Sequence, residues 1–184
     1  MDNILVIIAF ILYLGLMMSI GIYYYKKTNS MDDYINFKLL YINEDFEITE
    51  DMIFCGNGSD EVLSFVFYAF FDDNKPVVSP EFSYSFYPVY AGYYGITLAK
   101  VPLKPDFSLD TEAMLKIDST GMIFANPNAP TGKALSLKEI EKMLETYPKD
   151  KVFVVDEAYA DFSGFTVLPL LKKYKNLVKI GITR

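Results

Sequence analysis

Asp156 and Glu157 follow directly on the apolar run Val152–Val155 in the segment VFVVDEAYADF. A carboxylate set against a buried strand is costly as an anion unless something positive faces it. Two readings fit Asp156. It is a strand-end residue that caps a helix or pairs with a surface lysine, or it faces a cationic heterocycle and keeps a ring nitrogen protonated. At an effective dielectric near 20 and a separation of about 3 Å, the second arrangement gains roughly 5 kcal/mol before desolvation is subtracted. Tyr159, three residues on, is placed to turn toward the same ligand.

Two other segments carry residues of the right kind. CGNGSDE, Cys55 to Glu61, has two glycines for tight turns, and Ser59 or Asp60 as caps for a following helix. Free backbone N–H groups and the helix dipole at such a start suit a phosphate. The segment lacks both the G-x-x-x-x-G-K-[ST] and the G-x-G-x-x-G pattern, so it is neither a Walker A loop nor a dinucleotide fingerprint. An ordinary capped turn is the other reading. ANPNAPTG, Ala125 to Gly132, packs two prolines and two asparagines into a stiff loop. Asparagine amides held there could donate to an anionic ligand oxygen, or the loop could be a plain turn.

Composition narrows the chemistry. The chain has 184 residues, is 52% hydrophobic and carries a net charge of −7. That balance argues against wrapping nucleic acid, whose phosphates call for a basic stripe. Cys55 is the single cysteine and there is no histidine. Ser-His-Asp and Cys-His schemes, His-ligated zinc and disulfide frameworks are therefore excluded. Carboxylates, tyrosines, lysines, backbone amides or a cofactor must do the work.

The elements that would hold these loops alternate along the chain. Strands are predicted at 52–55, 76–79, 96–101, 121–125, 151–155 and 177–181. Helices are predicted near 60–71, 84–93, 110–116, 136–147 and 167–174. Such alternation indicates an α/β domain with a mostly parallel sheet, whose ligands sit beyond the strands' C-terminal ends. The helix at 136–147 has the clearest signature. Ser136 and Glu139 make an S-x-x-E capping box, and Leu137, Ile140, Met143, Leu144 and Tyr147 share one face.

The first 36 residues are of another kind. Ile4 to Tyr25 contains no charged residue, and a helix of that length, about 33 Å, would cross a hydrocarbon core of roughly 30 Å. Asp2 and the length of the run favour a membrane span over a signal peptide. Lys26 and Lys27 would place the following segment in the cytoplasm. Gly15, Ser19 and Gly21 could let another helix approach closely or be ordinary residues of such a helix, and the second reading is favoured. The stretch GIYYYKKTNSMDDYI, Gly21 to Ile35, resembles the end of the first helix of the sodium/solute symporter family. No second span follows, so this segment reads as an anchor.

Taken together and in this order, GNGSDEVLSF, PEFSYSFYPVYAGYYGI, ANPNAPTG and VVDEAYADF resemble the fold-type-I pyridoxal-phosphate aminotransferases, and among them the histidinol-phosphate aminotransferase subfamily. The resemblance covers about residues 37–184, a partial large domain of that fold. It implies pyridoxal 5'-phosphate as cofactor, with backbone amides around Ser59, Asp60 and Glu61 on the phosphate and Tyr84 stacked on the pyridine ring. It implies Asp156 on the ring nitrogen and Tyr159 on the phenolic oxygen. Many relatives have asparagine directly before Pro-Thr-Gly. Here that position is Ala129, with Asn128 next to it as the substitute. Several rings between Tyr84 and Tyr94 are expected simply to pack the core.

The reaction implied is amino transfer between L-histidinol phosphate and 2-oxoglutarate, in histidine biosynthesis, by homodimers with sites near the interface. A broader amino-acid aminotransferase and a non-catalytic membrane-tethered binding protein are the alternatives. The family's Schiff-base lysine lies in a T-F-S-K-like motif after the strand that here reads NLVKIGITR, and Lys179 sits inside that strand. No catalytic residue is therefore assigned, and the chain by itself is expected to be an inactive, truncated aminotransferase part joined to a foreign start.

Overall fold

A computed structural model describes residues 48–181, together with residues 15, 16, 18 and 19. The chain divides into two compact units, Met1–Met52 and Ile53–Arg184. In the first, residues 15, 16, 18 and 19 are helical, and the Ser19 hydroxyl donates to the Gly15 carbonyl at 2.7 Å. Glu50–Met52 forms a single 3-10 turn. Most of the expected span 4–25, and the whole symporter-like stretch 21–35, lie outside the described residues. Among the described residues no helix is long and apolar enough to cross a membrane.

The second unit is a three-layer α/β/α sandwich. In chain order it runs α1 (Ser59–Phe70), β1 (Val77–Pro80), α2 (Tyr87–Tyr94), β2 (Leu98–Val101), α3 (Thr111–Leu115), β3 (Gly121–Ala125), α4 (Leu137–Thr146), β4 (Val152–Asp156), a 3-10 turn (Ala160–Phe162), α5 (Leu168–Leu171) and β5 (Leu177–Ile180). All pairings are parallel, in the order β2-β1-β3-β4-β5. This doubly wound order has its reversal point between β1 and β3, where ligands collect in such sheets.

Strand alternation divides the core into two. Met122, Phe124, Phe153 and Val155 point to the face covered by Met114 of α3, Ile140 and Leu144 of α4 and Leu170 of α5. Val77, Ile123, Val154 and Ile180 point to the other, under Leu63 and Phe67 of α1 and Tyr87 and Ala91 of α2. Both sheet faces are covered, so the inner strands β3 and β4 read as near-continuous apolar runs, while the edge strands β2 and β5 each carry a lysine. The α4 capping box forms as expected: Ser136 Oγ accepts from the Glu139 N–H, and Glu139 Oε2 accepts from the Ser136 N–H.

The strand expected at 52–55 is not one. Met52 ends the 3-10 turn, and residues 53–58 form no ladder. Phe54 and Cys55 are exposed, and the Phe54 ring meets Phe65 of α1 edge-on at 5.6 Å. The run is apolar enough for a strand, but no neighbouring strand among the described residues offers it a ladder.

Candidate functional site

Parallel strands bring their C-terminal ends to one edge of the sheet, and the loops after β1, β3 and β4 meet there. Helix α1 runs into β1, so it lies antiparallel to the strands and its N-terminus reaches the same edge. Gly58 is its N-cap, with φ of 89°, a conformation glycine adopts without strain, and it offers no side-chain cap. Neither Ser59 nor Asp60 caps the helix, since both already lie inside it. The first intrahelical bond runs from the Val62 N–H to the Gly58 carbonyl. The N–H groups of Ser59, Asp60 and Glu61 are thus those that a helix start leaves without an intrahelical acceptor. Glu61 folds back instead, its Oε2 accepting from the Asn57 N–H at 2.5 Å.

At the end of β4, Asp156 is buried, with 4% of its surface exposed. Its Oδ2 accepts from the Tyr87 hydroxyl at 2.7 Å and its Oδ1 from the Ala158 N–H at 3.0 Å. Burial pushes its pKa up, while those two donors oppose the shift. Among the described residues no lysine or arginine forms an ion pair with it. Lys179, paired with Val155 across β4 and β5, leaves the sheet on the opposite face, where its Nζ lies 3.7 Å from Glu157 Oε2. Glu157 is itself committed to the Thr166 hydroxyl at 2.5 Å and the Val167 N–H at 2.7 Å. It anchors the segment leading into α5.

Tyr84 joins the two ends of this cluster. Its hydroxyl donates to Asp60 Oδ1 at 2.6 Å, which pushes its pKa up to about 12. Its ring meets the Tyr87 ring edge-on at 5.6 Å. Asp60, Tyr84, Tyr87 and Asp156 thus form one line from the start of α1 to the end of β4. Sequence reasoning missed Tyr87. It is one of several tyrosines between Tyr84 and Tyr94, and nothing in their spacing separates the one that meets a carboxylate from those that pack.

The loop after β3 is held from within. The Asn126 side chain brackets Leu135, accepting from its N–H at 2.7 Å and donating to its carbonyl at 3.0 Å. Asn128 is fully buried and its Nδ2 donates to the Phe82 carbonyl at 2.8 Å and to Thr131 Oγ1 at 3.2 Å. Both of its amide hydrogens are therefore used inside the protein, and only its Oδ1 lacks a partner. The Asn128 amide thus knits the loop to the segment after β1. A pocket of about 180 Å³ opens between this loop and the one after β4, lined by Pro127, Asn128, Ala129, Gly132, Tyr159 and Phe162. The structure so brings Tyr159 to the rim of the loop that carries Ala129.

The family of class I and II aminotransferases matches residues 37–181, beginning where the composition of the chain changes. The chain is 54% identical over 137 residues to a histidinol-phosphate aminotransferase of Syntrophus aciditrophicus, a match covering 72% of this chain and 38% of the relative. A second curated relative is covered to 37%, so the chain spans well under half the length of the relatives it matches. The fold is similar to the crystal structure of the histidinol-phosphate aminotransferase from Clostridium acetobutylicum, with a TM-score of 0.62 and 25% identity over 68% of this chain and 38% of that one. It is also similar to the Sinorhizobium meliloti histidinol-phosphate aminotransferase solved with pyridoxal-5'-phosphate, with a TM-score of 0.59 and 22% identity over 67% of this chain and 35% of that one.

Proposed function

The chain belongs to the class I and II aminotransferase family, and from that premise we propose that residues 53–181 form the cofactor cradle of a histidinol-phosphate aminotransferase. The observation that carries this reading is Asp156: a buried carboxylate with two neutral donors and, among the described residues, no bonded cation, at the sheet edge where the α1 N-terminus also arrives. The donor set fits pyridoxal 5'-phosphate at three points. The Ser59, Asp60 and Glu61 amides suit its dianionic phosphate. Tyr84 offers a ring face between phosphate end and carboxylate end. Asp156 suits a protonated ring nitrogen, whose charge would reverse the burial cost of the anion. When bound, the cofactor supplies an electron sink for chemistry at the carbon bearing the amino group.

The chain's own residues then hold and orient. Asp156 keeps the ring nitrogen protonated by accepting its N–H. Tyr159, from the rim of the 180 Å³ pocket, donates to the phenolic oxygen. Asn126 and Asn128 keep the 126–135 loop stiff. The substrate pair proposed is L-histidinol phosphate and 2-oxoglutarate, supported by the 54% identity to a relative of that name. Lys179 pairs with Glu157 on the far face of the sheet, so it is not placed to act at this edge.

The test is a fluorescence titration of the 184-residue chain with pyridoxamine 5'-phosphate, a form that needs no covalent lysine. Saturable binding, weakened about tenfold in Asp156→Asn, is expected from loss of a charge-assisted hydrogen bond. A wild-type chain that shows no saturable binding, or one as tight in Asp156→Asn, overturns the reading. Glutamate formed from L-histidinol phosphate and 2-oxoglutarate by the purified chain would overturn the expected inactivity.

A further inference from the structure

Asp156 and Tyr87 meet inside the protein, and the question is what the tyrosine contributes there beyond filling space. Its ring is 1% exposed and leans on Phe67 of α1 at 6.3 Å and on Tyr84 at 5.6 Å. Tyr87 opens α2 with Pro88 directly after it, and its own N–H is bound to the Tyr84 carbonyl at 3.2 Å. The ring therefore has little freedom, and its hydroxyl is delivered to one oxygen, Asp156 Oδ2, at 2.7 Å. The Ala158 N–H takes the other oxygen at 3.0 Å. With one donor on each oxygen the carboxylate plane cannot rotate, yet a carboxylate accepts about four hydrogen bonds. Lone pairs remain for a further donor arriving in that plane.

We infer that Tyr87 is a positioning residue for Asp156: its hydroxyl fixes the direction of the carboxylate and keeps it an anion, ready to accept the N–H of a protonated pyridine-type ring. What Asp156 is held ready for rests on the cofactor reading above; that Tyr87 holds it does not. A side chain needed only for shape would serve as well as phenylalanine. The geometry differs from that case because a buried carboxylate loses its charge unless donors offset desolvation. Tyr87 and Ala158 are the two donors that bond it. The titratable or charged groups that act on Asp156 are Tyr87 and Tyr90 of α2, Tyr84 before it, Asp60 of α1 and, from the other face of the sheet, Lys179 of β5. Asp60 disfavours the anion. Lys179, across the sheet and paired with Glu157, favours it only at a distance. The hydroxyl of Tyr87 is thus the side-chain group in direct contact that stabilises the charge.

The experiment uses the 184-residue chain, its Tyr87→Phe and Asp156→Asn variants and the double variant. Two ligands are titrated: pyridoxamine 5'-phosphate and its 1-deaza analogue, in which the ring nitrogen is replaced by C–H. Tyr87→Phe should weaken the first about tenfold and the second less than twofold, and should cost less than twofold when added to Asp156→Asn. Carbon-13 carboxyl spectra of the ligand-free chain should show Asp156 titrating at higher pH in Tyr87→Phe. In the wild type, the Tyr87 Cζ resonance should move with that same titration, a readout that requires no variant to fold. Equal weakening of both ligands, or an Asp156 titration unmoved by Tyr87→Phe and unseen at Tyr87 Cζ, overturns the inference. A wild-type chain that fails to bind the ligand while Asp156 and Tyr87 still titrate together upholds the positioning and removes the cofactor reading.

Discussion

Two adjacent carboxyls, Asp156 at the end of β4 and Glu157 just after it, diverge to opposite faces of the sheet, one to Tyr87 and one to Thr166 and Lys179. Burial pushes both above their ordinary values of 3.8 and 4.5. Between the unfolded and the raised folded value, the folded chain holds protons the unfolded chain has released. Their contribution to stability is therefore complete below the unfolded values and is lost as pH rises through the folded ones. Asp156→Asn removes the Asp156 part. The melting temperature of that variant minus that of the wild type should accordingly grow between pH 4 and pH 7, by on the order of 2–4 °C. A difference that stays constant over that range would show that Asp156 does not carry a raised pKa in the ligand-free chain.

Among the elements, α4 and α1 illustrate two ways of starting a helix. The α4 start is closed by its own side chains, Ser136 and Glu139 satisfying one another's backbone N–H groups. The α1 start has a glycine cap and leaves its first amides to whatever anion arrives. Ser136→Ala should lower unfolding stability by about 1 kcal/mol in urea denaturation. It should leave pyridoxamine 5'-phosphate affinity unchanged within twofold, since α4 packs on the face away from Tyr87. A change in affinity as large as that of Asp156→Asn would mean that the two faces are coupled through the sheet.

For the second unit as a whole, one sheet with both faces covered carries the site. Phe153 of β4 is fully buried and edge-on to Phe124 at 5.5 Å and to Tyr147 at 5.3 Å. Phe153→Ala should cost about 3–5 kcal/mol, a large part of the 5–15 kcal/mol typical of a domain. The loss should appear as a lower urea midpoint. The same strand ends in Asp156, so a destabilised β4 should also weaken ligand binding, in contrast to Ser136→Ala. An unchanged midpoint would show that this aromatic cluster does not hold the sheet.

The amino-acid sequence by itself determined five of the strands, the helices between them and the parallel α/β class. These depend on local periodicity, which is clearest in the runs that bury both faces, such as β3 and β4. It also singled out three loops that meet at one edge of the sheet, because Gly58, the Asn-Pro loop and Asp156 are unusual where they stand. What it did not decide depends on neighbours distant in the chain. The apolar run 52–55 is no strand because, among the described residues, no ladder meets it. The amide of Asn128 is spent on Phe82, 46 residues earlier. Tyr87 is more than another core ring because β4, 69 residues later, sets Asp156 against its hydroxyl. Periodicity is a property of adjacent residues, whereas the partner of a buried polar group is set by packing across the sheet, and only the tertiary structure supplies that.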